Sequence, residues 1–434
     1  MNPADPRNLV AAWKQDVDSP DGVADGAAVS LNGGRSWRRR TLPRGGGCSG
    51  GEPQFTYVAD PWVAFGPRGV AWVATLPYTQ GNPGAVTVHR STNGGRTFGG
   101  PRYVDRDQTS MDFDDKETMA ADPRNPRRAY VTWVKQQRTL PPVSVPLSST
   151  IYVSRTSDGG RTWSAPRPLA TSDDGTALAG GVVVVRPNQD VLLAYPRIVP
   201  DDPGECVSDE ECAAQVTVFA VRSSDGGTTW SRPAVAARYR RGPVRDPEGE
   251  ELKASADNFS LTVDPRGVAY LVAHDERDSP HSHIIVRRSN DGGRTWRSLT
   301  KADSASRAHG FKGQPVIAAG RRSLGIIYYD FRDDVRRGDG KAQFSWWFLH
   351  SEDRGRSWHE QRLSGPSDLH RAPNTAVGHF IGDYFGLQPA GRDFVAAITV
   401  ARPIARRGPT DIFFARLAAR AKSTSSTGQA RRSH

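Results

Sequence analysis

TSDGGRTW, Thr156 to Trp163, decides the fold, because it is one of six near-copies of one octapeptide. The others are SLNGGRSW (Ser30 to Trp37), STNGGRTF (Ser91 to Phe98), SSDGGTTW (Ser223 to Trp230), SNDGGRTW (Ser289 to Trp296) and SEDRGRSW (Ser351 to Trp358). Their closing aromatics fall at 37, 98, 163, 230, 296 and 358, a period of 61 to 67 residues. A repeat of that size is a structural unit stacked on its neighbours. The chemistry of the octapeptide is that of a turn. An Asp or Asn side chain folds back onto backbone N–H groups. Glycine admits positive φ, and the aromatic brings a large area to bury between neighbouring sheets.

Between the boxes a second element recurs: an apolar strand, a Pro/Gly turn and another apolar strand. Examples are WVAFGPRGVAWVA from Trp62, TMAADPRNPRRAYVTW from Thr118, VVVVRPNQDVLLAY from Val182 and SLTVDPRGVAYLVA from Ser260. PVIAAGRRSLGIIYYD from Pro315 and YFGLQPAGRDFVAAITV from Tyr384 follow, and DPRNLVAAW, Asp5 to Trp13, is a partial copy. Alternation and turn residues make these β-hairpins. Each unit is then hairpin A–B, strand C, box turn and strand D, the blade of an all-β propeller. Seven hairpins and six boxes predict seven four-stranded blades, or six if the terminal pieces share one. Asp5-Pro6 is already an A–B turn, so strand A of unit 1 is expected upstream of Met1, together with a signal peptide and secretion. The last unit ends at DIFFARL, Asp411 to Leu417, without a box. Residues 1–417 read as one propeller and 418–434 as a disordered basic tail.

Composition narrows the function classes. The net charge is +11, four of it in the tail. Short basic runs at Arg38-Arg39-Arg40 and Arg238 to Arg241 read as solvated surface, not a nucleic-acid footprint, and favour anionic glycans as partners. Three cysteines are too few for a disulfide scaffold and have no zinc spacing; Cys206 and Cys212 bracket a loop they are able to close. No apolar run is long enough to span a membrane. A monomer without cofactor or obligatory metal is expected.

The boxes resemble the BNR or Asp-box repeats of the sialidase superfamily. More narrowly, residues 1–417 resemble bacterial secreted proteins of the sialidase or exo-α-sialidase type, through FDDKETMAADPRNP (Phe113 to Pro126), HFIGDYFGL (His379 to Leu387) and TDIFFARL (Thr410 to Leu417). The resemblance implies a glycoside hydrolase with a tyrosine nucleophile, an exception to the two-carboxylate rule. It also implies a Tyr–Glu pair, an Asp acid/base and three arginines around a substrate carboxylate. The family's Arg-Ile-Pro string has its nearest match in Arg197-Ile198-Val199-Pro200, with a valine inserted.

Blade topology places the A–B and C–D turns on one face and the other loops on the opposite face, around the axis. Those upper loops are read as carrying Asp60, Asp114-Asp115-Lys116-Glu117, Asp257-Asn258 and Asp383-Tyr384 before strand A. After strand B come Lys14 and Asp16, Lys135, Arg197, His274-Asp275-Glu276-Arg277 and Asp330-Phe331-Arg332-Asp333. The expected roles are Tyr384 as nucleophile, Glu276 or Glu117 as its base, and Asp115 or Asp60 as acid/base. Arg197, Arg277 and Arg332 are the expected clamp, with Asp330 and Asp383 beside them. Competing readings are a non-catalytic binding propeller and a polysaccharide lyase using His274 with Tyr329. GCSGG, Gly47 to Gly51, matches a hydrolase elbow but is read as a loop.

Overall fold

A computed structural model describes residues 1–15, 24–79, 84–138, 146–173, 175–202, 213–253, 258–278, 281–299, 311–335, 338–375, 378–405 and 408–418. Asp16, Asp257, Cys206, Cys212 and the tail from 419 onward lie outside them. Among the described residues seven antiparallel blade sheets follow one another along the chain, with a two-stranded ribbon, Asn374–Thr375 and Gly378–His379, before the last, so the repeat count of seven blades holds. Blades 2, 3, 5 and 6 follow the expected A–B–C–D order; blade 2, for example, runs Tyr57–Phe65, Ala71–Tyr78, Ala85–Ser91, Arg102–Arg106. Blade 4 differs in that its inner strand is split into Ala177–Leu178 and Val182–Val185, both paired with Val191–Pro200. Blade 1 is three-stranded, Leu9–Gln15, Ala24–Ser30 and Arg38–Thr41, and begins at the B position. Blade 7 is also three-stranded, Gly386–Ala390, Asp393–Ala405 and Gly408–Leu417, and ends at the C position.

The core is divided as radial stacking requires. Seven apolar clusters sit one between each neighbouring pair of blades, including blades 7 and 1. The two clusters flanking blade 1 are the smallest, with three buried residues each. Trp37 closes the ring by packing edge-on against Phe414 of blade 7, centroids 5.3 Å apart.

The boxes do the work expected of them. In the third, Thr156 Oγ1 donates to Asp158 Oδ1 (2.9 Å) and accepts from Gly160 N (2.8 Å). Arg161 N donates to Asp158 Oδ1 (2.9 Å) and Thr162 Oγ1 to Oδ2 (2.7 Å). The Thr162 hydroxyl and backbone N–H hold the Asp158 carboxyl below its usual range. The same bonds recur around Asp225, Asp291 and Asp353. Gly160, at φ +77°, must be glycine: a Cβ there would lie 2.5 Å from the ring of Trp72 in blade 2. Each such turn therefore docks a blade on its predecessor, and its Asp is structural. Gly47–Ser49 is a single 3-10 turn, not the start of an elbow helix.

Candidate active site

Three inner strands break register at the same height. Pairing shifts between Ala59 and Trp62 in blade 2, between Asp115 and Thr118 in blade 3, and between Gly313 and Val316 in blade 6. The inserted pairs are Asp60-Pro61, Lys116-Glu117 and Gln314-Pro315. The first member of each is left-handed, with φ of +57°, +51° and +44°. A bulge re-aims side chains, and a left-handed non-glycine residue persists only when its surroundings enforce it. A following proline disfavours the helical region as well, so Asp60 and Gln314 are doubly constrained. Asp60, Asp115, Lys116 and Glu117 thus lie within strands, not in the loops expected from the sequence. Gly180, in the gap between the two pieces of blade 4's inner strand, accepts the blade 3 bulge: a Cβ there would sit 2.3 Å from the Lys116 Cβ.

The bulges and the segment before blade 7 enclose a narrow cavity walled by Trp62, Lys116, Gln314, Asp383, Tyr384 and Phe385, among others. Trp62 stands edge-on to the Tyr384 ring at 5.8 Å and donates through Nε1 to Met119 O (3.0 Å), which pins it. Asp383 is held from three sides. Asn258 Nδ2 donates to its carbonyl (3.2 Å), Gln314 Nε2 donates to Oδ1 (3.4 Å), and Lys116 Nζ lies 4.0 Å from Oδ2. The Tyr384 hydroxyl and Gln314 Oε1 are buried with no hydrogen-bond partner in the protein.

Charge is concentrated here. Burial, then Asp60, Asp383, Asp115 and Glu117, push the Tyr384 phenol well above its ordinary range. Burial first, then Asp115 and Asp383, raise Asp60 to about 7 against the pull of Lys116 and Lys14. Glu117, with no exposed surface, and Asp25 of blade 1 are both raised, mainly by burial and next by Asp60. All four of their carboxyl oxygens are unpartnered. Asp60, Asp115, Glu117 and Asp383 therefore act electrostatically on Tyr384; Tyr384 and Asp383 line the cavity, whereas Asp60, Asp115 and Glu117 act on it from behind the lining. Asp25 and Gln314 were missed. Gln314-Pro315 repeats the Asp60-Pro61 pattern and was discoverable; a lone carboxylate opening the apolar strand Ala24–Ser30 reads only as a solvated end. Among the described residues no group of three His, Cys, Asp or Glu is arranged to hold a metal ion.

The remaining expected residues are engaged elsewhere. Arg332 is committed to blade 6. Its NH1 lies 2.7 Å from Glu360 Oε2, Nε donates to Asp330 Oδ2 (2.7 Å), and the guanidinium stacks 3.9 Å over Trp347. Asp330 also accepts from Trp347 Nε1 (2.9 Å) and is almost wholly buried. Arg277 is 59% exposed and pairs with Asp275 at 3.3 Å. Arg197 Nε donates to Thr176 Oγ1 (3.0 Å). None of the three lines the cavity, so the expected clamp is not assembled there. Glu276 accepts from Gly242 N–H, lies 3.6 Å from His274, and is raised by burial to about 7. His274 and Tyr329 are both buried and both pack on Phe311, at 5.1 and 5.9 Å, and burial and then Asp383 push the Tyr329 phenol up.

No family model and no curated protein matches the chain. Solved structures do. A protein of unknown function from Dyadobacter fermentans aligns with a TM-score of 0.51 at 14% identity, over 84% of this chain and 95% of that one. A polysaccharide lyase, an ulvan lyase bound to -[GlcA(1-4)Rha3S]-, aligns at 0.51 and 12% identity, over 95% and 92%. A Hadza microbial sialidase aligns at 0.48 and 14% identity, over 88% and 72%. The likeness is one of fold. At such identities it assigns no chemistry, because sites are grafted on folds that many functions share.

Proposed function

We propose that the chain is a glycoside hydrolase, sialidase-like in mechanism, working through Tyr384. The observation that supports this is the Tyr384 hydroxyl: buried, unpartnered, and surrounded by carboxyl groups of which Asp60 titrates near 7. A phenol is a poor nucleophile unless a neighbouring base takes its proton. Asp115 stands by for that step; Glu117, whose burial favours its protonated form, does not. Asp60 is raised into the range where one carboxyl alternates between acid and base at neutral pH, and it donates to the departing glycosidic oxygen. Trp62 and Phe385 offer aromatic surface in the cavity wall for the sugar ring.

The test is hydrolysis of a panel of fluorogenic aryl glycosides by wild type and Tyr384→Phe. The proposal expects turnover that the variant loses by at least about 1,000-fold, a loss of roughly 4 kcal/mol in transition-state stabilisation. Turnover equal in the two proteins removes Tyr384 from the mechanism.

A further inference from the structure

We infer that the sugar ring taken by the axial cavity is uncharged and hydroxyl-rich, not carboxylated. The inference rests on reading this cavity as a sugar site. Three observations lead to it. Among the described residues lining the cavity there is no arginine, and its cation, Lys116, already faces Asp383 at 4.0 Å. Four carboxyl groups act on the Tyr384 hydroxyl where a substrate would react. Third, of the two partnerless groups in the wall, the Tyr384 hydroxyl and Gln314 Oε1, the second is an acceptor only. Gln314 is 3% exposed, its Nε2 is turned to Asp383, and its Oε1 is unpartnered. An orphan acceptor beside carboxylates calls for hydrogen-bond donors, which sugar hydroxyls supply and a carboxylate does not.

The electrostatic cost of the alternative is large. A sugar carboxylate brought within ~6 Å of one ionised carboxylate, at an effective dielectric near 20, loses about 100-fold in binding or rate. The arginines that would offset this are held at Arg332 by Asp330 and Glu360, and at Arg277 by Asp275. The aromatic edges of Trp62 and Phe385 complete a site suited to the apolar face of a neutral ring.

Two measurements test this. The first compares kcat/KM for aryl hexosides, deoxyhexosides and pentosides with that for an aryl sialoside and an aryl glucuronide. The second measures equilibrium binding of the corresponding free sugars to Tyr384→Phe and to Gln314→Leu. A preference of about 100-fold or more for a neutral sugar, weakened in Gln314→Leu, is expected. Neutral-sugar binding without turnover keeps the inference and overturns the hydrolase reading. A sialoside or glucuronide that is preferred, with turnover lost in Tyr384→Phe, overturns the inference and keeps the hydrolase. No neutral sugar binding at all overturns it too.

Discussion

Asp60→Asn should make the protein more stable at alkaline pH. Asp60 rises from 3.8 to about 7 on folding, mainly through burial, so the native state holds its proton more tightly than the unfolded chain. Its contribution is then fully favourable below pH 3.8 and is lost progressively as pH rises to about 7, with no further change above. Between pH 5 and pH 8.5 a group shifted this far costs about 3 kcal/mol. Asp60 is only half-buried, and solvent screening reduces the figure to about 2 kcal/mol. Asparagine removes the titration and tolerates the left-handed backbone at φ +57° better than most residues. It also relieves Glu117 and Asp25, which Asp60 pushes up. Urea denaturation followed by tryptophan fluorescence at pH 5 and pH 8.5, with equal m-values, measures the effect. The variant should gain about 2 kcal/mol on wild type between the two pH values. Parallel pH dependence of variant and wild type would show that Asp60 carries no raised pKa, and the acid/base role would go with it.

Other expectations follow from the same geometry. Tyr384→Phe removes a buried hydroxyl with no partner, so its Tm should equal or exceed that of wild type while turnover is lost; scanning calorimetry beside the glycosidase assay checks both. Arg332→Leu strands Asp330 and Glu360 and should cost about 3–5 kcal/mol of stability by urea unfolding, yet leave KM at the axial cavity unchanged in the folded fraction. Gly160→Ala forces a Cβ onto Trp72 at positive φ and should destabilise by roughly 2–4 kcal/mol, with a red-shifted tryptophan emission as the blade 2–3 contact opens.

The sequence by itself determined the architecture. Six copies of a turn whose chemistry is local, with hairpins between, point to a propeller of seven blades or six, and the ring of seven is decided by the structure. Local pattern also gathered Asp60, Asp115, Glu117, Asp383 and Tyr384, because units of like topology bring equivalent positions to one axis. Tertiary structure decided the rest. The bulges at Asp60, Lys116 and Gln314 turn strand residues toward the axis, and a shift of register in a pleated strand leaves no mark in composition. Arg332 spends its guanidinium group on Asp330 and Glu360 of its own blade, Arg277 on Asp275 and on the Arg238 carbonyl of blade 4, and Arg197 on Thr176. Whether a charge faces a ligand or a neighbour depends on contacts made across blades, and those distances exist only once the ring has closed.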